Sequence, residues 1–199
     1  MGAASGRARL VGTRESGMSL VEVIVAIAII SVIALSAANL TINGLSLAAS
    51  QERNQIAVTV ANGAMEAATA QPIATIYSGR TQTAVQAAYN ANTAVPGIAT
   101  VAGVVPTYQV WDTSGSLPPV EALPITSAPI TSSGTTYTTT TLVGSCYQPR
   151  AGGDCARLSS NPTTPPATTP AGYMQLIRVV VVVRWTAGKS CAPGGCLYS

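Results

Sequence analysis

The sequence predicts an α+β fold in which a long N-terminal helix packs on a C-terminal antiparallel β-sheet. Two observations favour this class. Residues 23–51 carry no charged side chain and continue into an amphipathic segment that ends near Pro72. Residues 135–144 and 174–188 are rich in β-branched side chains, and the second of these segments alternates as a strand does. A helix-forming first third is therefore followed by a strand-forming remainder.

The composition excludes several classes of function. The 199 residues suffice for one ordinary domain and an appendage. Only 9% of them are charged, against about a quarter in an average soluble domain. The net charge is +3, but Arg7, Arg9 and Arg14 all precede the apolar run, and the rest of the chain is close to neutral. The sequence therefore has no basic patch that would indicate direct nucleic acid binding. Histidine, the most frequent general base and metal ligand, is absent from the sequence, and we predict no catalytic residue, metal or cofactor.

Residues 18–50 form the predicted membrane-spanning helix. About 20 apolar residues cross the hydrocarbon core of a bilayer, and this segment is longer. Its apolar side chains surround the whole helix, as in a helix that lies in lipid or in a fully buried bundle. Three arginines precede the segment and none follows before Arg53, which predicts a single pass with the N-terminus on the cytoplasmic side.

Two ordinary interpretations of this segment leave one residue unexplained. A cleaved secretory signal peptide has an apolar core of about 7–15 residues, and "SLAAS" at residues 46–50 resembles its cleavage site. An uncleaved signal anchor accounts for the length and the orientation. Neither interpretation accounts for Glu22, because a carboxylate within a membrane costs on the order of a few kcal/mol and normally has a partner.

The stretch "GMSLVE" contains Gly17, Met18 and Glu22. It resembles the class III signal of type IV prepilins and pseudopilins, which is a short basic leader ending in glycine, then methionine or phenylalanine, with glutamate fifth in the mature chain. The resemblance covers residues 14–50, and the rest of the chain varies widely within that family. It implies a pilin-like fold and favours a minor pilin over a major one.

The resemblance also implies how the chain is processed and assembled. A prepilin peptidase and N-methyltransferase of the membrane would cut after Gly17 and methylate the new amine of Met18. The further partners implied are other pilin subunits in a hetero-oligomeric filament at the cell surface. Glu22 would pair with the Met18 amine of a neighbouring subunit, because either charge alone in a low dielectric is costly.

Three functions other than that of a pilus subunit fit parts of the sequence. A pseudopilin of a type II-like secretion system is the alternative within the family. A signal-anchored surface domain that never polymerises explains the anchor but not Gly17 and Glu22. A membrane-tethered enzyme is disfavoured, because the chain has no histidine and the predicted head has only three acids, Asp112, Glu121 and Asp154.

Residues 51–71 are predicted to continue the helix amphipathically. One apolar stripe is expected on this segment, formed by Ile56, Val60, Ala64 and Ala67. Pro72 marks the expected end. An alternative with two helices and a break near Gly44 stays open, since glycine weakens a helix.

Residues 72–199 are predicted to form a loop-rich β-sheet head, after a leader at residues 1–17 and the two helical segments 18–50 and 51–71. Residues 72–103 are expected to be irregular, with a short helix near 83–89, and strands are expected at 104–112, 135–144 and 174–188. In the last strand, one face should pack against the helix: Ile177, Val179, Val181, Val183 and Trp185. The opposite face carries two arginines, which predicts a sheet that packs on one side only: Leu176, Arg178, Val180, Val182 and Arg184. Residues 159–172 are rich in Ser, Thr and Pro and are expected to form an exposed flexible loop.

Four cysteines, all after residue 145, indicate an oxidising compartment and two disulfides. Three pairings are open, and we favour the local bridges Cys146–Cys155 and Cys191–Cys196, because each closes a Gly/Pro turn after a strand. Bridges between the two pairs are the alternative. Zinc is disfavoured, since the spacings and the lack of histidine fit structural zinc sites poorly. The resemblance adds that many pilins close a C-terminal loop with a disulfide, as Cys191 and Cys196 would here.

Overall fold

The computed structural model describes residues 19–93, 106–115, 118, 120–186 and 195–199. The chain divides into two compact units, Met1–Ala48 and Ala49–Ser199. A long helix and an antiparallel sheet make this an α+β fold, as predicted. The elements are α1 (Leu20–Thr69), α2 (Gln82–Thr93), β1 (Tyr108–Gln109), β2 (Ile130–Ser132), β3 (Thr135–Pro149), β4 (Tyr173–Trp185) and β5 (Cys196–Tyr198).

Helix α1 runs without interruption through Gly44, so the alternative with two separate helices is wrong. At its start, the carbonyl oxygen of Ser19 accepts the N–H groups of Glu22 and Val23 at 2.9 and 3.2 Å. Helix α1 ends at Thr69. Pro72 follows three residues later, and it cannot continue a helix because it has no N–H group to donate. The helix predicted over 18–71 therefore ends two residues early, at Thr69, while Met18 lies outside the described residues.

The sheet is antiparallel throughout, in the order β1-β3-β4-β5, with β2 also paired to β3. Its main ladder joins β3 to β4, from Tyr137 opposite Trp185 to Pro149 opposite Tyr173. The strand predicted at 135–144 therefore extends to Pro149, and the strand predicted at 174–188 ends at Trp185 within the described residues. Of the strand predicted at 104–112, the described residues pair only at β1, and 104–105 lie outside them.

One face of the sheet packs on the second half of α1. Ala57 and Ala61 are buried against Tyr137, Val181 and Trp185, and the predicted inward face of β4 is confirmed. The predicted helix stripe is displaced by one position, because Ala68 is buried whereas Ala67 is exposed. Alanine on the contact line lets the helix backbone approach the bulky β-branched strand. Ile56 and Val60 are partly buried and pack against the same cluster.

The opposite face of the sheet is covered by α2, so the prediction of packing on one side only is wrong. Val182 is fully buried in a cluster with Leu142 of β3 and Val85 and Tyr89 of α2. Arg184, which had indicated solvent, instead donates to the carbonyl of Ala91 at 3.0 Å and to Asn92 Oδ1 at 2.9 Å. A cation at this place complements the carbonyls that end the helix.

The predicted short helix near 83–89 is confirmed and is longer, since it spans all of α2. It begins after Thr81, whose hydroxyl oxygen accepts the N–H of Ala84 at 3.2 Å, as in an N-cap. The local sequence favours a helix because it alternates alanine with polar residues, and its apolar side is narrow.

The β2–β3 hairpin contacts the head portion of α1, residues 49–69, through its turn. Ser133 and Gly134 both have positive φ angles, 47° and 70°, as a tight hairpin turn requires. The Ser133 hydroxyl donates to Glu52 Oε1 at 2.8 Å. This contact fixes one end of the sheet on the helix.

Cys146 and Cys155 form a disulfide, with their Cα atoms 5.4 Å apart, as predicted. Cys196 is also disulfide-bonded. Its predicted partner, Cys191, lies outside the described residues.

The Ser/Thr/Pro-rich loop at 159–172 is largely exposed, as expected, but its first part is fixed. The Tyr108 hydroxyl accepts the N–H groups of Leu158 and Ser159 at 3.0 and 2.9 Å. The Gln109 N–H donates to the carbonyl of Pro162 at 2.8 Å. These bonds tie the start of the loop to strand β1.

Candidate functional site

The N-terminal part of α1 presents an apolar surface around its whole circumference. Between Leu20 and Leu47, its large apolar side chains are between 40 and 78% exposed: Leu20, Val21, Val23, Ile24, Val25, Ile27, Ile29, Ile30, Val32, Ile33, Leu35, Leu40, Ile42, Leu45 and Leu47. Exposed apolar surface of this extent marks a site of contact with lipid or with other proteins. By length and composition, α1 is the one helix among the described residues that is able to cross a membrane.

Three hydroxyl groups in this segment are satisfied by the helix itself. Ser31, Ser36 and Thr41 each donate to the carbonyl four residues earlier, at 2.7, 2.9 and 2.9 Å. A hydroxyl that bonds back to its own helix needs no partner in a hydrocarbon medium. These three polar side chains are therefore compatible with lipid contact.

Glu22 is the only acidic residue in the first turn of α1, and it is exposed. The first turn is also where the helix dipole stabilises a negative charge. The next charged side chain along α1 is Glu52, which belongs to the other compact unit. Of the residues predicted for processing and assembly, the structure describes Glu22, whereas Gly17 and Met18 lie outside the described residues.

Two of the three acids of the head have structural partners. Asp112 accepts the N–H of Gly79 at 2.7 Å and that of Ser114 at 2.9 Å, and these bonds, that of Gly79 first, lower its pKa. Glu121 accepts the N–H of Ile125 at 2.7 Å. Within the described part of the chain, no group of three or more His, Cys, Asp or Glu side chains lies close enough to hold a metal ion.

Arg80 is a key residue that the sequence did not reveal. Its side chain is buried, and its guanidinium donates to the carbonyls of Leu123 at 2.9 Å and Thr141 at 2.6 Å. A third contact reaches the carbonyl of Pro124 at 3.4 Å. Burial lowers the pKa of the group, and the nearby Glu121 opposes that shift. A lone arginine in a polar loop has no local pattern that distinguishes it from a solvated one.

The comparisons with known proteins concern the N-terminal segment alone. Residues 12–38 match the family model of the prokaryotic N-terminal methylation motif. The matched range contains Gly17, Met18 and Glu22 and reaches into the exposed apolar part of α1. No curated protein and no solved structure matches the chain.

Proposed function

Because the chain carries a type IV pilin-like class III signal sequence, we propose that it is a minor-pilin-like structural subunit of a type IV pilus or a related filament. The motif supports a type IV pilin-like or pseudopilin-type subunit, which is a structural role rather than an enzymatic one. The observation that carries the proposal is the match at residues 12–38, which leads into a helix that is apolar around its whole circumference.

In this proposal the precursor is anchored in the cytoplasmic membrane before it enters the filament. Residues 1–17 are a leader with the N-terminus in the cytoplasm, and prepilin peptidase removes it by cutting after Gly17. The same enzyme methylates the amine of Met18. Residues 18–50 then form the membrane and filament-core segment, 51–71 its amphipathic continuation, and 72–199 the head. The exposed apolar surface and the internally bonded hydroxyls of α1 support such a change of surroundings, from lipid to other helices.

Glu22 sets the register of assembly in this proposal. Cleavage creates a positive amine at Met18, and a carboxylate in an uncharged segment has no other partner nearby along its own helix. Pairing Glu22 with the Met18 amine of a neighbouring subunit removes two uncompensated charges from a low-dielectric medium at once. The pair is favourable chiefly because either charge alone is costly there.

The first test compares two acid-to-valine substitutions on the same helix. Glu22→Val should leave membrane insertion intact or improve it, while the variant fails to enter filaments or enters them slowly. Glu66→Val is the matched control, because Glu66 is exposed and lies in the head portion of α1. Both variants are quantified by immunoblot in membranes and in sheared filaments. Normal entry of Glu22→Val into filaments contradicts the assembly role.

The second test establishes processing by the intact mass and N-terminal sequence of the protein from its native membrane. A start at N-methylated Met18 supports the proposal. A start near Ser50 indicates a conventional signal peptide, and a start at Met1 in cells that contain the peptidase indicates a signal anchor. Either of these two results contradicts the proposal.

A further inference from the structure

A cavity of about 410 Å³ opens on the head beside strands β1, β3 and β4. Strands β3 and β4 contribute Ser145, Gln175 and Ile177 to its lining. These residues are in phase with Val143 and Val179, which pack in the cluster of Ala68. Strand β1 contributes Gln109, and three loops contribute the remainder, including Tyr77, Trp111, Thr113 and Thr163.

The lining combines aromatic rings with uncharged hydrogen-bonding groups. Tyr77 and Trp111 are half-buried, and Gln175 and Thr113 are exposed. None of the described residues that line the cavity is charged. From this chemistry we propose that the cavity binds a neutral saccharide unit. The proposal concerns the head alone and does not rest on the proposed role in a filament.

Two charged groups near the cavity, Asp112 and Arg80, have main-chain partners. Asp112 lies between two lining residues, but its two carboxylate oxygens accept the N–H groups of Gly79 and Ser114. The guanidinium of Arg80 donates to main-chain carbonyls on the 123–124 segment and on β3. A phosphate or a carboxylate of a ligand would therefore find no cation among the described lining residues. This selects for an uncharged ligand.

The loops that line the cavity are hydrogen-bonded to one another. The N–H of Asp112 donates to the carbonyl of Arg80 at 2.9 Å, which joins the 77–80 loop to the 110–113 segment. The Gln109 N–H donates to the carbonyl of Pro162 at 2.8 Å. This bond joins strand β1, which directly precedes the 110–113 segment, to the 159–165 loop. The cavity is thus formed in advance, and binding a ligand costs little ordering of the protein.

A sugar ring satisfies both kinds of group in the lining. One face of a pyranose carries C–H groups that pack on aromatic rings, while its hydroxyls exchange hydrogen bonds with an amide or a threonine. A purely apolar ligand would instead displace water from the lining amides and hydroxyls without replacing its hydrogen bonds, and sites built for hydroxyls discriminate against such ligands. The volume is at the lower end of the roughly 300–1,000 Å³ range of small-molecule sites, which suits one or two rings.

The experiment uses the full chain in dodecylphosphocholine micelles, because a maltoside detergent would itself present sugar. The probes are the methyl glycosides of glucose, galactose, mannose and N-acetylglucosamine, and binding is followed by saturation-transfer NMR. We expect at least one of them to bind with a dissociation constant of roughly 1–10 mM, since a half-open site contacts few ligand atoms. Methyl glucuronide, which carries a carboxylate, should bind at least about tenfold more weakly than the corresponding glucoside.

Two variants test the site and one serves as control. Gln175→Ala removes one of the two lining amides, the one at an exposed position, so the fold is retained, and affinity should fall roughly five- to tenfold. Trp111→Ala should abolish binding, although Trp111 also packs beside the α2 cluster, so its fold is checked by circular dichroism. Gln55→Ala, an exposed glutamine of α1 outside this cavity, should bind like the unchanged protein.

Three results would overturn the proposal. One is that none of the four glycosides binds. Another is that affinity is unchanged in Gln175→Ala and in folded Trp111→Ala. The last is that methyl glucuronide or a sugar phosphate binds more tightly than the neutral glycosides, which would assign the cavity to an anion.

Discussion

At the scale of single residues, the buried guanidinium of Arg80 joins three parts of the head. It lies at the end of the 77–80 loop and bonds to the 123–124 segment and to β3 through main-chain carbonyls. A charge of this kind is stable in the interior because its donors are used in fixed hydrogen bonds. Removing the side chain leaves the carbonyls of Leu123 and Thr141 without a donor.

We therefore expect Arg80→Met to lower the free energy of unfolding by about 2–4 kcal/mol. Arg80→Lys should restore only part of this, since an ammonium group lacks the planar fork that reaches several carbonyls. The measurement is urea unfolding of the full chain in micelles, followed by near-ultraviolet circular dichroism. Arg150→Met, at an exposed position, is the control and should change stability by less than about 0.5 kcal/mol. Equal midpoints for Arg80→Met and the control would show that the bonds of Arg80 contribute nothing.

At the scale of elements, α2 approaches β3 closely because Gly144 has no side chain. A Cβ atom at this position would lie 2.5 Å from both Thr107 Oγ1 and the Tyr89 hydroxyl oxygen, which are themselves hydrogen-bonded at 3.1 Å. The α1 glycine Gly63 has the opposite surroundings, with nothing within 4 Å of an added Cβ. A substitution at Gly144 therefore tests close packing, whereas a substitution at Gly63 tests only the helix propensity of glycine.

Gly144→Ala should destabilise the head by about 1–3 kcal/mol, because Thr107 and Tyr89 must move. Gly63→Ala should stabilise it by roughly 0.5–1 kcal/mol, since alanine is the better helix former. Both changes are measured by urea unfolding in the same micelles. Adding Thr107→Ala to Gly144→Ala should recover part of the loss. A Gly144→Ala protein as stable as the unchanged chain would refute the close approach of α2 to β3.

At the scale of the whole molecule, local sequence patterns predicted the elements better than their packing. The uncharged run and the β-branched alternation identified α1, β3 and β4, since both depend on neighbouring residues. The second layer, α2, was predicted only as a short helix, and the arginines of β4 suggested solvent where Arg184 instead bonds to the end of α2. The bonds of Arg80 and the cavity depend on loops far apart in the chain, which no local pattern reveals.

The functional residues differ in the same way: a local motif predicted one of them, and no local pattern predicted the cavity. Glu22 was predicted from its place in a motif, because a charge within an apolar run is visible in the sequence alone. The cavity was missed, since Tyr77, Trp111, Thr163 and Gln175 are brought together only by the fold. Isolated aromatic residues in a β-rich chain are indistinguishable from core residues until their neighbours are known.

The Cys146–Cys155 disulfide closes a loop at the far end of β3, with a separation of nine residues. Replacing both cysteines by alanine should lower the free energy of unfolding by about 2–3 kcal/mol, because the unfolded chain regains the freedom of that loop. Urea unfolding without reductant measures the difference. If the double variant and the unchanged chain unfold at the same urea concentration, the bridge adds no stability to the head.

The back-bonded hydroxyls of Ser31, Ser36 and Thr41 have a consequence for the energetics of transfer between media. Each donor keeps the same acceptor whether fatty-acyl chains or neighbouring helices surround α1. Exchanging one environment for the other therefore breaks no hydrogen bond at these positions. In this part of α1, Glu22 is the one charged side chain among the described residues, and the free-energy difference for leaving the bilayer then depends on the partner that its carboxylate finds. The contacts of this one side chain would then favour one environment of α1 over the other.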